Sequence, residues 1–269
     1  MRSWRALDIV MKTIQGLIFL AGFLLFLTGE LIHPYRAPTV AKAERLVINI
    51  LLTVLNSALI YLLFSVPTAD TALFVTENRV GLLHSLNLPP WSHFFLTLIL
   101  MDFTLYLWHL LNHIVPLLWR FHRVHHSDLN MDVSTASRFH AGELLISGVI
   151  KIGIIYSLGA HPAGLAVFES LVVLTAQFHH SSLKVPEWFE KIYRLFFVPP
   201  SMHRIHHSVK IRERNRNYGT IFSLWDRILG TFLSGIDQDK IVIGIGVYRN
   251  PQQLSLSYLL RMPFTPPVA

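Results

Sequence analysis

The chain has 269 residues, 52% of them hydrophobic and 14% charged, where a soluble domain carries about a quarter charged, so an ordinary soluble domain is excluded. A formal net charge of +7 suits an anionic membrane surface; no nucleic-acid module accompanies it, and nucleic acid is set aside as a partner. The absence of cysteine removes disulfides, thiolate ligands and a thiol nucleophile.

Residues 14–32 carry one charge, Glu30, near the end of the run; such a stretch is long enough to cross a ~30 Å hydrocarbon core as a helix. Residues 46–66, uncharged and carrying the amides Asn49 and Asn56, form a second candidate span, and 92–115 a third that stops at Pro116. The 144–178 stretch is apolar but broken at "LGAHPAG" (158–164), where glycine and proline end a helix. It reads as a hairpin of helices 144–158 and 163–178, shallow or tightly packed. The first run has spanning length and no small-residue cleavage pattern after it, so a cleavable signal peptide is not expected. Lysine and arginine gather in 120–140 and 184–216, while 67–91 holds only Arg79. The positive-inside rule therefore places the former in the cytoplasm and 67–91 outside. Arg2, Arg5 and Lys12 balance Arg36, Lys42 and Arg45, which leaves the orientation of the N-terminus open.

The expected fold is all-α and integral to the membrane, the bacterial inner membrane or the endoplasmic reticulum. It has about three transmembrane helices, a membrane-embedded helical hairpin and a cytoplasmic histidine-rich helical cap. Residues 1–91 supply N-terminal spans, 92–235 a catalytic region and 236–269 a cytoplasmic tail, all in one structural domain. The last residues, RMPFTPPVA (261–269), read as irregular.

Fifteen histidines against sixteen acidic residues are the compositional anomaly. "FHRVHHS" (121–127) and "MHRIHHS" (202–208) repeat one cluster, H-x-x-H-H. At this histidine frequency chance supplies about 0.05 such motifs per chain, so two are not an accident of composition. On a helix, positions i, i+3 and i+4 share a face, so His122, His125 and His126 form one set and His203, His206 and His207 another. His109 and His113 lie at i, i+4 on the third span, with Asp102 and Tyr106 on roughly the same face, where ionisable residues are costly and functional by default. His179 and His180 end the hairpin. In one straight helix His109 and His122 would stand about 20 Å apart, too far for one site. The chain must turn, and Pro116, which disfavours helix at Val115, is placed to turn it.

A catalytic zinc takes three protein ligands; eight to ten imidazoles suggest two adjacent ions, and imidazole suits Zn, Cu, Fe and Ni alike. "HLLNH" lacks the glutamate of a zinc protease, and "ELIH" (30–33) has no partner to make a carboxylate di-iron bundle. His33, His84, His93 and His161 fall outside this pattern.

The ordered set H-x-x-x-H (109–113), H-x-x-H-H (122–126), "HHS" (179–181), "PPSMHRIHHS" (199–208), "NYG" (217–219) and "WDRILGT" (225–231) resembles the fatty acid hydroxylase/sterol desaturase superfamily over about residues 100–231. Those are integral-membrane, histidine-ligated di-iron oxygenases. The resemblance implies two iron ions held by His109, His113, His122, His125, His126, His203, His206 and His207. One of His179 and His180 joins them, and the family's usual "HSN" favours His180. Leu110 stands where the family often has arginine. "RFHAGE" (138–143) resembles an R-x-H-x-x-E of some members, which leaves His140 as either a ligand or a hydrogen-bond partner. Asn217, Tyr218, Trp225 and Asp226 read as supporting residues. Metal-bound histidine usually gives its other N–H to an oxygen, and Asp226 and Asp102 are the expected acceptors.

The implied chemistry is O2-dependent hydroxylation or desaturation of an unactivated C–H in a lipid: an acyl chain, sterol, hopanoid or carotenoid. No nucleotide, haem or flavin motif is present, so electrons come from an outside donor such as a ferredoxin or a cytochrome b5-like carrier. A membrane haem-binding electron carrier and a metal transporter are the rival readings.

Overall fold

The computed structural model describes residues 2–63 and 68–266. Its helices are α1 (Arg2–Ile32), α2 (Lys42–Leu63), α3 (Thr68–Glu77), α4 (Leu82–Ser85), α5 (Pro90–Ile114), α6 (Pro116–His126), α7 (Ala141–Leu158) and α8 (Pro162–His180). Shorter helices follow: α9 (Glu187–Tyr193), α10 (Pro200–His206), α11 (Ile211–Arg214), α12 (Leu224–Ile228) and α13 (Leu256–Arg261). Among the described residues no strand forms, only isolated bridges such as Pro34 with Leu183.

Among the described residues four helices are long and apolar enough to cross a membrane: Thr13–Ile32, Lys42–Ile60, Pro90–Ile114 and Ala141–Leu158. The first arm of the expected hairpin therefore joins the three expected spans. Large apolar side chains such as Leu17, Leu25, Val54, Phe95 and Val149 point outward. Lipid tails are as apolar as leucine, so such residues need no protein cover.

The expected second span, 46–66, begins earlier, at Lys42, and its residues 64–66 lie outside the described set. The 67–91 connection is more than a loop, since α3 packs against α7 and α8. The tail expected to be irregular is helical at its start: α13 ends at Arg261 and Met262–Phe264 form a 3₁₀ turn. Arg123 on α6 holds it by donating to the carbonyls of Met262, Thr265 and Pro266. Residues 267–269 lie outside the described set.

α1 and α8 run side by side in the same direction. Gln15 reaches Glu169, Gln177 donates to the Phe19 carbonyl at 3.0 Å, and Glu30 accepts from the Ser182 N–H at 2.9 Å. Gly22 permits the approach, because a Cβ there would stand 2.3 Å from Gln177 Oε1. The N-terminal end of α1 thus lies on the face opposite the end of α8 that carries His180. Glu30, read as a lone charge in the first span, also accepts from Lys42 at 2.6 Å and from the Val133 N–H at 3.2 Å.

Val115 is extended (φ −93°, ψ 114°) and Pro116 opens α6 at its first turn. Proline lacks the N–H that the first turn leaves unbonded, so the chain bends there and restarts as helix. The α7–α8 hairpin turns at Gly159, whose φ of +68° is left-handed and favours glycine. A Cβ on Gly159 would meet the Val80 carbonyl at 2.4 Å, so the turn is pressed against the chain between α3 and α4.

Above the spans a buried ion network braces the histidine end. Arg45 on α2 grips Asp128 through two 2.6 Å bonds and reaches Asp132 at 2.7 Å. Arg138 donates to the Val124 carbonyl, Ser127 Oγ and Asn49 Oδ1. The network clamps the residues that directly follow His126.

Candidate metal centre

Two groups of histidines converge between the ends of α5, α6, α8 and α10. The first comprises His109, His113, His122, His126 and His206; the second comprises His125, His180, His203 and His207. Within each group the candidate ligand nitrogens lie within 4.8 Å of one another. The bend at Val115–Pro116 performs the turn that spacing demands, leaving the rings of His109 and His122 5.1 Å apart.

The two H-x-x-H-H boxes divide between the groups in opposite ways. His122 and His126 enter the first group and His125 the second, whereas His203 and His207 enter the second and His206 the first. Each box spans both groups because consecutive residues on a helix point about 100° apart. The same divergence separates His179 from His180. His180 belongs to the second group; His179 belongs to neither, its ring lying 4.0 Å from that of His203.

In the first group the outer nitrogens of all but His126 are tied. Nδ1 of His109 donates to the Tyr218 carbonyl at 2.8 Å, and that of His206 to the Arg216 carbonyl at 2.8 Å. Nδ1 of His122 meets Glu143 Oε1 at 2.8 Å, and that of His113 meets Asn215 Oδ1 at 3.3 Å. These bonds place the ring proton on Nδ1 and leave a lone pair on Nε2. Nε2 of His109, His113, His122, His126 and His206 is buried without a protein partner. Five orphaned imidazole nitrogens in one spot are costly as they stand and suited to a cation.

In the second group Nε2 atoms crowd together. The pairs His125–His180, His203–His180 and His207–His203 are 3.1, 2.9 and 3.1 Å apart. With metal–nitrogen bonds of about 2.1 Å, right-angle neighbours on one ion stand roughly 3.0 Å apart. Burial, reinforced by neighbouring imidazoles, holds His125, His126, His203, His206 and His207 well below the ordinary imidazole range. They are neutral, the form that binds metal.

His140 stands outside both groups. It caps α7, accepting from the Gly142 N–H at 2.9 Å on Nδ1 and donating from Nε2 to the Leu260 carbonyl at 3.2 Å. Both nitrogens are occupied, which favours the hydrogen-bond reading over the ligand one.

The expected acceptors Asp102 and Asp226 require correction. Asp102 accepts from the Ile221 and Phe222 N–H groups and from Trp225 Nε1, and Asp226 from the Tyr218 and Gly219 N–H groups and Thr231 Oγ1. Neither touches an imidazole. Both anchor the 217–226 turn, whose Tyr218 carbonyl then meets His109. Asn217, in the left-handed region at φ 59°, ties the same turn to the carbonyls of Met202 and Leu233. The Tyr218 ring packs 5.1 Å from that of His113.

Sequence reasoning missed Glu143 and Asn215 as imidazole partners, and the Arg45 network. The last had a visible signal: Arg45, Asn49 and Thr53 recur at i, i+4 on a mainly apolar helix. Glu143 is the carboxylate among the partners, with Oε2 buried and unbonded. Losing such a partner typically costs about 10–100-fold in metal affinity or activity. Glu143→Ala is expected to fall in that range and Glu143→Gln, which keeps an acceptor, to lose less, as read by metal titration.

A cavity of about 580 Å³ opens from His109, His122, His125, His180 and His203 and runs between α1, α5, α7 and α8. Its walls are mainly apolar, with Met101, Leu105, Ile154, Phe168 and Val172 among them. His84, His93 and His161 cluster at the opposite face, where His93 Nε2 donates to the Gly159 carbonyl at 2.7 Å.

The family model described as fatty acid hydroxylase matches residues 94–231. The chain belongs to that family. All nine grouped histidines fall inside the matched region. Among curated relatives, an ornithine lipid hydroxylase of Rhizobium tropici is 35% identical over 150 residues, which is 56% of this chain and 44% of that protein. Human cholesterol 25-hydroxylase is 32% identical over 142 residues, 52% of this chain and 50% of that one. Human alkylglycerol monooxygenase is 28% identical over 169 residues, 59% and 35% of the two chains. The alignments thus span half or less of these three relatives' lengths. No solved structure matches the chain.

Proposed function

We propose that this chain is an O2-dependent di-iron lipid hydroxylase or desaturase, with its histidine end at the cytoplasmic membrane face. The observation that carries the reading is the convergence of nine imidazoles in two adjacent groups at the mouth of a mainly apolar cavity, five of them with inward nitrogens that lack protein partners. His109, His113, His122, His126 and His206 would hold one iron, and His125, His180, His203 and His207 the other. Bound there, a reduced iron pair supplies the oxidising power that side chains lack.

The rest is performed by the protein. Neutral imidazoles present lone pairs without first losing protons. Glu143, Asn215 and the carbonyls of Tyr218 and Arg216 fix ring orientation. The apolar wall excludes water and aligns a hydrocarbon segment against the histidines. Hydroxylation consumes the C–H, O2, two electrons and two protons, and yields an alcohol and water; desaturation yields an alkene and two waters. The electrons come from a separate carrier, a ferredoxin or a cytochrome b5-like protein. Relatives that act on an ornithine lipid, cholesterol and alkylglycerol support a lipid substrate taken from the bilayer. Lys and Arg in 120–140 and 184–216 support a cytoplasmic site.

Metal analysis and an optical spectrum of protein purified from membranes provide the test. Two irons per chain and no Soret band are expected. A Soret band would favour the haem carrier, and a single zinc would remove the oxygenase reading.

A further inference from the structure

The cavity has a second polar end, remote from the histidines. Lys151 on α7 and Glu169 on α8 both line it and pair at 2.9 Å. Gln15 of α1 donates to Glu169 Oε2 at 3.0 Å and Thr68 of α3 to Oε1 at 3.1 Å. Glu169 precedes His180 by 11 residues on the same helix, about 16 Å at the α-helical rise. Charges at such depth in a membrane helix are rare and tend to mark substrate paths.

A tie between helices accounts for the carboxylate but not for the ammonium. Glu169 accepts from three helices and is satisfied. Lys151 has three N–H donors; Glu169 takes one, and no other described group takes the rest. Its side chain is 38% exposed, on the wall of a cavity that is mainly apolar from there to the histidines. A cavity of 300–1,000 Å³ is the usual size for one enclosed small molecule.

We propose that Lys151, backed by Glu169, is a head-group subsite. It donates to the oxygen head, hydroxyl or carboxylate, of a slender single-chain or fused-ring amphiphile whose apolar body extends to the histidines. What happens at the histidine end rests on the oxygenase reading; the binding does not. The subsite makes the position presented to the histidines a fixed distance from the head, about 16 Å along α8, rather than from the methyl end.

The test uses the full chain, as purified with its metals, in phosphatidylcholine nanodiscs. Three probes are titrated by energy transfer from tryptophan, and Trp108 lines the cavity. They are cis-parinaric acid (carboxylate head), dehydroergosterol (hydroxyl head) and diphenylhexatriene (no head). Wild type should bind at least one head-bearing probe saturably, and which one identifies the head. Lys151→Met should bind it at least about tenfold more weakly, as loss of a hydrogen bond to a charged group implies. Lys151→Arg should restore binding, and diphenylhexatriene should not distinguish the proteins. Lys151→Met/Glu169→Gln leaves no unpaired carboxylate to unfold the hairpin and should bind as weakly as Lys151→Met. Equal binding by wild type and either Met-containing variant, or no saturable binding of either head-bearing probe, overturns the proposal. Iron content and turnover are scored separately: selective binding by a protein without iron would retain the subsite and remove the oxygenase reading.

Discussion

His206→Ala and His207→Ala are expected to lose different metals. The two residues are adjacent in sequence, yet His206 belongs to the five-histidine group and His207 to the four-histidine group. Each variant should retain no more than about one metal per chain. Each should lose more activity than the roughly 10–100-fold that removing a supporting partner costs. Metal analysis with a turnover assay on membranes reads both quantities. Retention of two metals with full turnover in either variant would refute a shared site. The pair also separates two arrangements that a single variant cannot: if both losses drain the same ion, the boxes serve one centre and the division into two groups is wrong.

The second large effect is on stability. Arg45→Met removes the cation that two buried carboxylates, Asp128 and Asp132, share. Breaking a buried pair by deleting one partner costs about 3–5 kcal/mol, a large part of a typical domain's stability. Arg45→Lys keeps the charge but not the two-pronged grip on Asp128, and should fall between. Thermal unfolding in detergent, followed by helical circular dichroism, ranks the three proteins. The ranking should persist after metal is stripped, because the network touches no grouped histidine. A metal-free Arg45→Met protein as stable as metal-free wild type would contradict it.

The parts of this molecule legible in the sequence are those written as local pattern. Pro116 announces the bend that brings His122 under His109, and "LGAHPAG" announces the hairpin. Helical spacing announces the histidine triplets but not their division, since each box serves both groups. Periodicity alone did not count the spans: 144–158 looks like half of a shallow hairpin, yet α7 begins at Ala141 and is long enough to cross. What the sequence hid is tertiary. Imidazole partners were expected among carboxylates, and Asp102 and Asp226 were the conspicuous ones. The structure gives the role largely to main-chain carbonyls at Tyr218 and Arg216, which every residue possesses and no motif betrays. The aspartates act one step further out, fixing the turn that aims the Tyr218 carbonyl. Glu143 shares the R-x-H-x-x-E motif with His140, and the spacing gives no hint that the carboxylate, not the imidazole, faces the centre.

The reciprocal division of the two boxes has a consequence for how the protein is loaded. α6 and α10 each contribute to both groups, so on the two-ion reading whichever ion arrived first would tie together two helices separated by more than seventy residues of chain. Ordering the imidazoles of both boxes would then fall on the first ion. A second ion would meet side chains already ordered by the first. Uptake should therefore be cooperative, with half-loaded chains scarce at any metal concentration and a chelator stripping both ions together.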